Sequence, residues 1–313
     1  MAWFGGKSKI ADSVWQRFGD VRNYVEPFFG SGAVLLGRPE GNTGTETVND
    51  LDGFLSNAWR AIQHDPEQVA YYASWPVSEC DLHARHLWLV SQRDDLTKKL
   101  MGDFEYYNTK IAGFWIWGIC AWIGTGWCSG SGPWQSIDGI FTDMRKLPHL
   151  GTRGQGINRQ LPHLGTRGQF INDLFSQLSN RLRDVRVCCG DWLRIMGPSP
   201  TIKLGCTGVF LDPPYADTAN RCDKLYACDS LSVAHEVQKW CVENGDNPLF
   251  RIALCGYEGE HVMPATWEGL PWKASGGYSN QSRLGNDNCA KERIWFSPHC
   301  LKNNMPIPAL KEA

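Results

Sequence analysis

No unbroken stretch of about 18 apolar residues occurs in the chain, which is the length a membrane-crossing helix requires. The N-terminus carries no charged-then-apolar leader pattern, so the expectation is a soluble intracellular protein with no membrane partner. The 12 cysteines are scattered, include the adjacent pair Cys188-Cys189, and never stand as Cys-x-x-Cys. That argues against a zinc ribbon or a disulfide framework and for reduced, mostly buried thiols, with no metal site. Strong charge of either sign is also missing. With 31 Lys and Arg against 33 Asp and Glu, the formal net charge is −2, so any polyanionic partner must be met by a local patch. The dinucleotide fingerprint is absent as well. The position three after Gly32 is Leu35, and the strand before the loop ends in Glu26-Pro27, which disfavours a pyrophosphate cradle.

What the chain does have is Asp212-Pro213-Pro214-Tyr215, directly after the apolar run Gly208-Val209-Phe210-Leu211. The prolines fix φ and offer no backbone N–H, so such a turn presents acceptors alone. A nucleobase amino group bonded to the Asp212 carboxylate and the Pro213 carbonyl would have its lone pair localised on nitrogen, ready to attack a methyl group. Tyr215 would stack on the base, which a duplex could deliver only by turning it out of the helix. The same tetrapeptide also suits a plain turn after a parallel strand, with Tyr215 as a core aromatic.

Tyr24 to Val34 reads as a strand, a glycine-bearing loop and a helix start, with Gly30 and Gly32 free to bend against a ligand. Glu26 beside them favours a cationic or zwitterionic ligand. Thr47-Val48-Asn49-Asp50 ends a second strand in an acid about 20 positions on, where open α/β sheets hold a ribose through its hydroxyls. A helix is expected from about Leu51 to Ile62, and Asp50 could instead be its N-cap.

The middle of the chain has a different character. Phe114 to Trp134 begins too apolar for a surface strand and ends too glycine-rich for a helix, which points to a buried helix running into a loop. Trp115, Trp117 and Trp122 read as core, while Trp127 and Trp134 could stack on an unstacked base. Leu147–Gln160 and Leu161–Leu174 are a tandem duplication with a 14-residue period, each copy containing Gly-Thr-Arg-Gly. Two copies are too few for a solenoid, so the expectation is a pair of exposed loops presenting Arg153 and Arg167. Between Arg145 and Arg186 stand eight basic residues against Asp173 and Asp184, a local patch on a neutral body. His149 and His163 lack nearby Cys or carboxylate partners for a metal.

Beyond the repeat, Leu231–Asn244 has helical spacing, while Ile252–Tyr257 and Arg293–Ser297 read as strands. Strands alternating with helices imply an α/β fold with a mainly parallel sheet and ligands at the carboxyl ends of its strands.

Trp3-Phe4-Gly5-Gly6-Lys7, Glu26-Pro27-Phe28-x-Gly-x-Gly, Asn49-Asp50 and Asp212-Pro213-Pro214-Tyr215 occur here in the order they take in the Dam-type family of adenine-N6 DNA methyltransferases. The resemblance covers roughly residues 1–65 and 185–300. It implies a Rossmann-like fold, S-adenosylmethionine as cofactor, DNA as partner and a cytoplasmic protein of a prokaryote or virus, with a restriction endonuclease as an optional partner. By resemblance, Trp3, Lys7, Glu26, Pro27, Phe28, Gly30, Gly32 and Asp212 belong to the cofactor site, Asp50 to its ribose, and Asp191 to its adenine. Asp212 to Tyr215 match the catalytic tetrapeptide. The family's target-recognition segment has no match here, so the resemblance says nothing about which DNA sequence is read. The expected organisation is a catalytic domain from 1–70 and 180–313, interrupted at 71–179 by a helical and loop-rich recognition region. Cytosine N4 or an RNA adenine would suit the same pocket, and a catalytically silent DNA-binding protein would share the fold.

Overall fold

A computed structural model describes residues 7–41, 44–122, 127–128, 136–137, 140–141, 167–214, 232–272 and 292–302. In chain order the elements are α1 (Ala11–Phe18), β1 (Asn23–Glu26), α2 (Ala33–Leu36), β2 (Thr45–Asp50), α3 (Gly53–His64), α4 (Pro66–Ala73), α5 (Glu79–Gly102), α6 (Thr109–Ala121), β3 (Ser136–Ile137), β4 (Ile140–Phe141), α7 (Arg167–Leu182), β5 (Val185–Cys189), β6 (Thr207–Leu211), α8 (Val233–Asn244), β7 (Phe250–Tyr257), β8 (Glu268–Pro271) and β9 (Glu292–Phe296). Two compact units divide them. One covers Leu51–Gly190, and the described residues before Leu51 and after Gly190 make up the other. The unit boundaries thus fall at Asp50–Leu51 and Gly190–Asp191, where the sequence reading puts domain limits near 70 and 180.

The sheet unit carries the order β2-β1-β6-β7-β9-β8. β1 pairs parallel with β2 and with β6, and β6 pairs parallel with β7, while β9 is antiparallel to both β7 and β8. This is the mainly parallel α/β sheet that the strand–helix alternation predicts. All four residues of β1 and all five of β6 are buried, as befits strands covered on both faces. Buried Asn23 locks the start of the sheet. Its amide nitrogen donates to Thr207 Oγ1 at 3.2 Å and to the Pro200 carbonyl at 2.8 Å, and its oxygen accepts from Thr45 Oγ1 at 2.7 Å.

Helix α1 turns Ala11, Val14, Trp15 and Phe18 inward and stops at Gly19, whose φ of 57° an L residue adopts only with strain. Phe18 lies over Gly208 so closely that a Cβ there would stand 2.9 Å from its ring. Trp15 donates its indole N–H to the Val34 carbonyl at 2.7 Å, tying α1 to α2. On α8, Trp240 meets Phe250 of β7 edge-on at 5.5 Å.

Four helices of the helical unit are capped by a side chain of the expected kind: Asp52 for α3, Asp65 for α4, Ser78 for α5 and Asn108 for α6. The helix expected from Leu51 therefore starts at Gly53. Asp52 accepts the Phe54 N–H at 2.9 Å, so it, and not Asp50, is the cap. Asn57 exchanges two hydrogen bonds with the backbone of Asn108, at 2.8 and 2.9 Å, and so fixes α3 to α6. Helix α6 is apolar all round, and Trp115, Trp117 and Trp122 are buried. It begins at Thr109, five residues before Phe114, where the apolar run is read in the sequence.

Candidate active site

The chain passes from β1 outward to β2 and later returns on the other side of β1 as β6. Strand order therefore reverses at β1, and the crevice outside the carboxyl ends there is where open α/β sheets take ligands. The register aligns the acids. Val25 stands opposite both Thr47 and Val209, so Asp50, Glu26 and Asp212 leave three neighbouring parallel strands at the same edge.

Hydrogen bonds stitch the intervening loop to the end of β2. Phe29 N–H donates to the Asn49 carbonyl at 3.0 Å, Asn49 Nδ2 donates to the Pro27 carbonyl at 3.2 Å, and Gly30 N–H donates to Asp50 Oδ2 at 3.1 Å. Gly30 and Gly32 have φ of 48° and 66°, a left-handed conformation that costs an ordinary L residue roughly 1–2 kcal/mol. Gly32 then leads into α2, and the Leu35 N–H of that helix points back to the Glu26 carboxylate.

The crevice is rich in acids. Glu26 is 2% exposed and accepts the Tyr24 hydroxyl at 2.8 Å. Burial pushes its carboxyl well above the usual range; the bonds from Tyr24 and Leu35 pull it down, and Asp212 and Asp50 push it up again. Asp212, with a side chain 23% exposed, is raised by burial and by Glu260 and lowered by Lys7. The Lys7 ammonium reaches Asp212 Oδ1 at 3.0 Å and lies 5.0 Å from the centre of the Trp272 ring. Burial alone would lower the Lys7 pKa, but Asp212, Cys255 and Glu292 raise it above its ordinary value. Acidic groups thus gather around the glycine loop, in surroundings that disfavour a lone carboxylate and favour an incoming cation.

Asp191 accepts the Leu193 N–H at 2.9 Å and caps the short 3-10 turn Trp192–Ile195. Trp192 packs at 6.0 Å against Phe28 of the loop, which brings the Asp191 corner to the glycine segment. Pro213 is buried and Pro214 half-buried behind Asp212. Trp3, Tyr215, Trp134 and Arg153 lie outside the described residues, as does the side chain of Arg167, which opens α7. Trp127 belongs to the helical unit. Its indole N–H donates to the Trp115 carbonyl at 3.1 Å, and its ring lies against Trp122 and His86 at 5.1 and 5.6 Å. Among the described residues the cysteines are free thiols, and no cluster of three metal-ligating side chains occurs. No described helix is long and apolar enough to cross a membrane.

Three residues of the crevice escape sequence reasoning. Tyr24 could have been found, since it stands two before Glu26 on the same face of a strand. Trp272 and Glu292, which surround Lys7, carry no local signal.

Residues 3–84, roughly a quarter of the chain, match the family described as D12 class N6 adenine-specific DNA methyltransferase. No curated protein matches the sequence. The matched segment contains Lys7, the Glu26 strand, the glycine loop and Asp50, and its enzymes move a methyl group to adenine, which implies a methyl donor and DNA as substrate. Over residues 3–84 the chain is thus similar to the D12 class N6 adenine-specific DNA methyltransferases, in keeping with the Dam-type resemblance of its motifs.

Proposed function

We propose that the protein transfers a methyl group from S-adenosylmethionine to N6 of an adenine turned out of DNA. The observation that carries this reading is the row of Asp50, Glu26 and Asp212 around a glycine loop at the reversal of strand order. The donor set fits the cofactor. S-Adenosylmethionine carries a sulfonium and an ammonium, and a crevice whose buried acids repel one another gains by admitting positive charge. Gly30 and Gly32 leave the loop backbone bare for close approach, Asp50 is the ribose acid, and Phe28 and Asp191 flank the adenine. When bound, the cofactor supplies an activated methyl: the amine lone pair forms the new N–C bond, the C–S bond breaks with its pair left on sulfur, and one amine proton passes to solvent.

Asp212 and the Pro213 carbonyl accept the two amine hydrogens and orient the lone pair, while Tyr215 stacks on the base. Alignment contributes most of the rate, because the methyl group is already electrophilic. Residues 71–179 act as the recognition region, with Arg153, Arg167, Trp127 and Trp134 on the DNA side, and 1–70 with 180–313 as the catalytic part.

Asp212→Ala should abolish modification of adenines in the DNA of an expressing host, mapped by nuclease resistance, at a temperature where circular dichroism shows the variant still folded despite the unpaired Lys7. A variant within a few-fold of the parent would overturn the assignment.

A further inference from the structure

Lys7 resembles a cofactor residue in sequence, yet its ammonium is directed to Asp212 Oδ1. Its position is over-determined. The Lys7 carbonyl accepts the N–H groups of Ile10 and Ala11, both at 3.1 Å, which fixes the backbone at the entry to α1. The Trp272 ring lies along the ammonium at 5.0 Å, and the residue is 4% exposed. A buried cation held in this way cannot swing toward solvent without leaving a carboxylate unpaired.

The groups facing the pair come from every neighbouring element. Glu26 stands on β1, Cys255 on β7, Glu260 just after β7, and Glu292 on β9. All of them are acidic groups or a thiol: Glu260 opposes negative charge on Asp212, Asp212 in turn raises Glu26 and Cys255, and Glu292 acts on Lys7. A neutral Asp212 would carry a proton on the oxygen that must accept from the substrate amine. We propose that Lys7 is a positioning residue for methyl transfer: it grips one oxygen of Asp212, keeps the carboxylate an anion and leaves the other oxygen to take the amine N–H. This rests on the reading of Asp212 given above, and it assigns Lys7 to the substrate side of the crevice, not to the cofactor.

Burial and Glu260 raise the Asp212 carboxyl, and Lys7 opposes them. Removing the ammonium therefore moves the ionisation of Asp212 to higher pH. The test uses the full chain as parent, Lys7→Met, Lys7→Arg and Asp212→Ala. In ligand-free protein carrying 13C-labelled aspartate, the Asp212 carboxylate signal, assigned by its loss in Asp212→Ala, should titrate at higher pH in Lys7→Met and near the parent's pH in Lys7→Arg. Single-turnover methylation by Lys7→Met should fall by about 100-fold or more at neutral pH, with its acid limb shifted upward. Lys7→Arg should recover much of that loss, and calorimetric affinity for S-adenosylmethionine should stay within about twofold in both. An unshifted Asp212 titration would overturn the proposal, as would cofactor affinity falling in step with the rate. Should Asp212→Ala itself methylate normally, the underlying reading of the site fails; should Asp212→Ala be inactive and Lys7→Met behave like the parent, the role of Lys7 alone fails.

Discussion

At the scale of single residues, the crevice stores unfavourable charge. Glu26 is raised by burial first and then by Asp212 and Asp50, so the folded, ligand-free protein binds a proton there that the unfolded chain releases. With a folded pKa above the unfolded one, stability falls as pH rises through the window between them. Glu26→Gln should therefore melt higher than the parent at neutral pH, and the difference should shrink as the solution is acidified. A lower melting temperature for Glu26→Gln across that range would show that Glu26 is a structural anchor. The sign reverses on binding. A sulfonium or ammonium beside Glu26 lowers its pKa, so binding of S-adenosylmethionine should expel protons, seen as binding heats that change with the ionisation heat of the buffer. Asp50 makes a separate case: its carboxylate accepts the Gly30 N–H, while Asp52 caps the helix, so Asp50→Ala should weaken cofactor binding with little effect on helix α3. Equal cofactor affinity for Asp50→Ala would confine Asp50 to tethering the loop.

At the scale of elements, the site depends on how closely α1 docks on β6, the strand that delivers Asp212. Gly208 is the point of closest approach. An added Cβ would meet the Phe18 ring at 2.9 Å, with Val21 behind it at 3.2 Å, and neither is the loose end of a long side chain. Gly208→Ala should cost about 1–3 kcal/mol by overpacking and should also lower activity, because any shift of β6 displaces Asp212 at its end. Denaturant titration measures the first effect and single-turnover methylation the second; unchanged stability would show that α1 gives way freely. Elements with a short, repeated signal were legible in the sequence. The glycine loop, the apolar β6 and the all-apolar α6 announce themselves through residues adjacent in the chain. Helix α5 did not, because its 24 residues spread charged and apolar side chains around every face. Two-residue shifts at helix starts, as at Gly53, come from competing acids, Asp50 and Asp52, of which only the fold selects the cap. The pairing of Lys7 with Asp212 was hidden for a different reason: parallel topology, not spacing, brings the N-terminal segment beside β6.

At the scale of the whole molecule, the proposed function requires a chain of net charge −2 to hold a polyanion, so the distribution of charge decides the outcome. The crevice contributes acids, which repel phosphate, and the Trp272 to Lys7 contact leaves its cation engaged internally. Cations for the DNA backbone must come from elsewhere, and the sequence concentrates them between Arg145 and Arg186. Each arginine that neutralises a phosphate releases condensed counterions, so the logarithm of affinity falls with the logarithm of salt by about 0.9 per contact. Changing Arg153 and Arg167 together to Ala should therefore weaken DNA binding about equally across sequences and flatten the salt slope by up to about two units. Cofactor affinity should not change, and the methylated sequence should stay the same, because phosphate contacts position a protein while base contacts select. Filter binding over a several-fold range of ionic strength, with specific and unrelated duplexes, reads all three quantities. An unaltered slope would make the tandem repeat a passive surface. A changed slope together with relaxed specificity would place those arginines on base edges instead of phosphates.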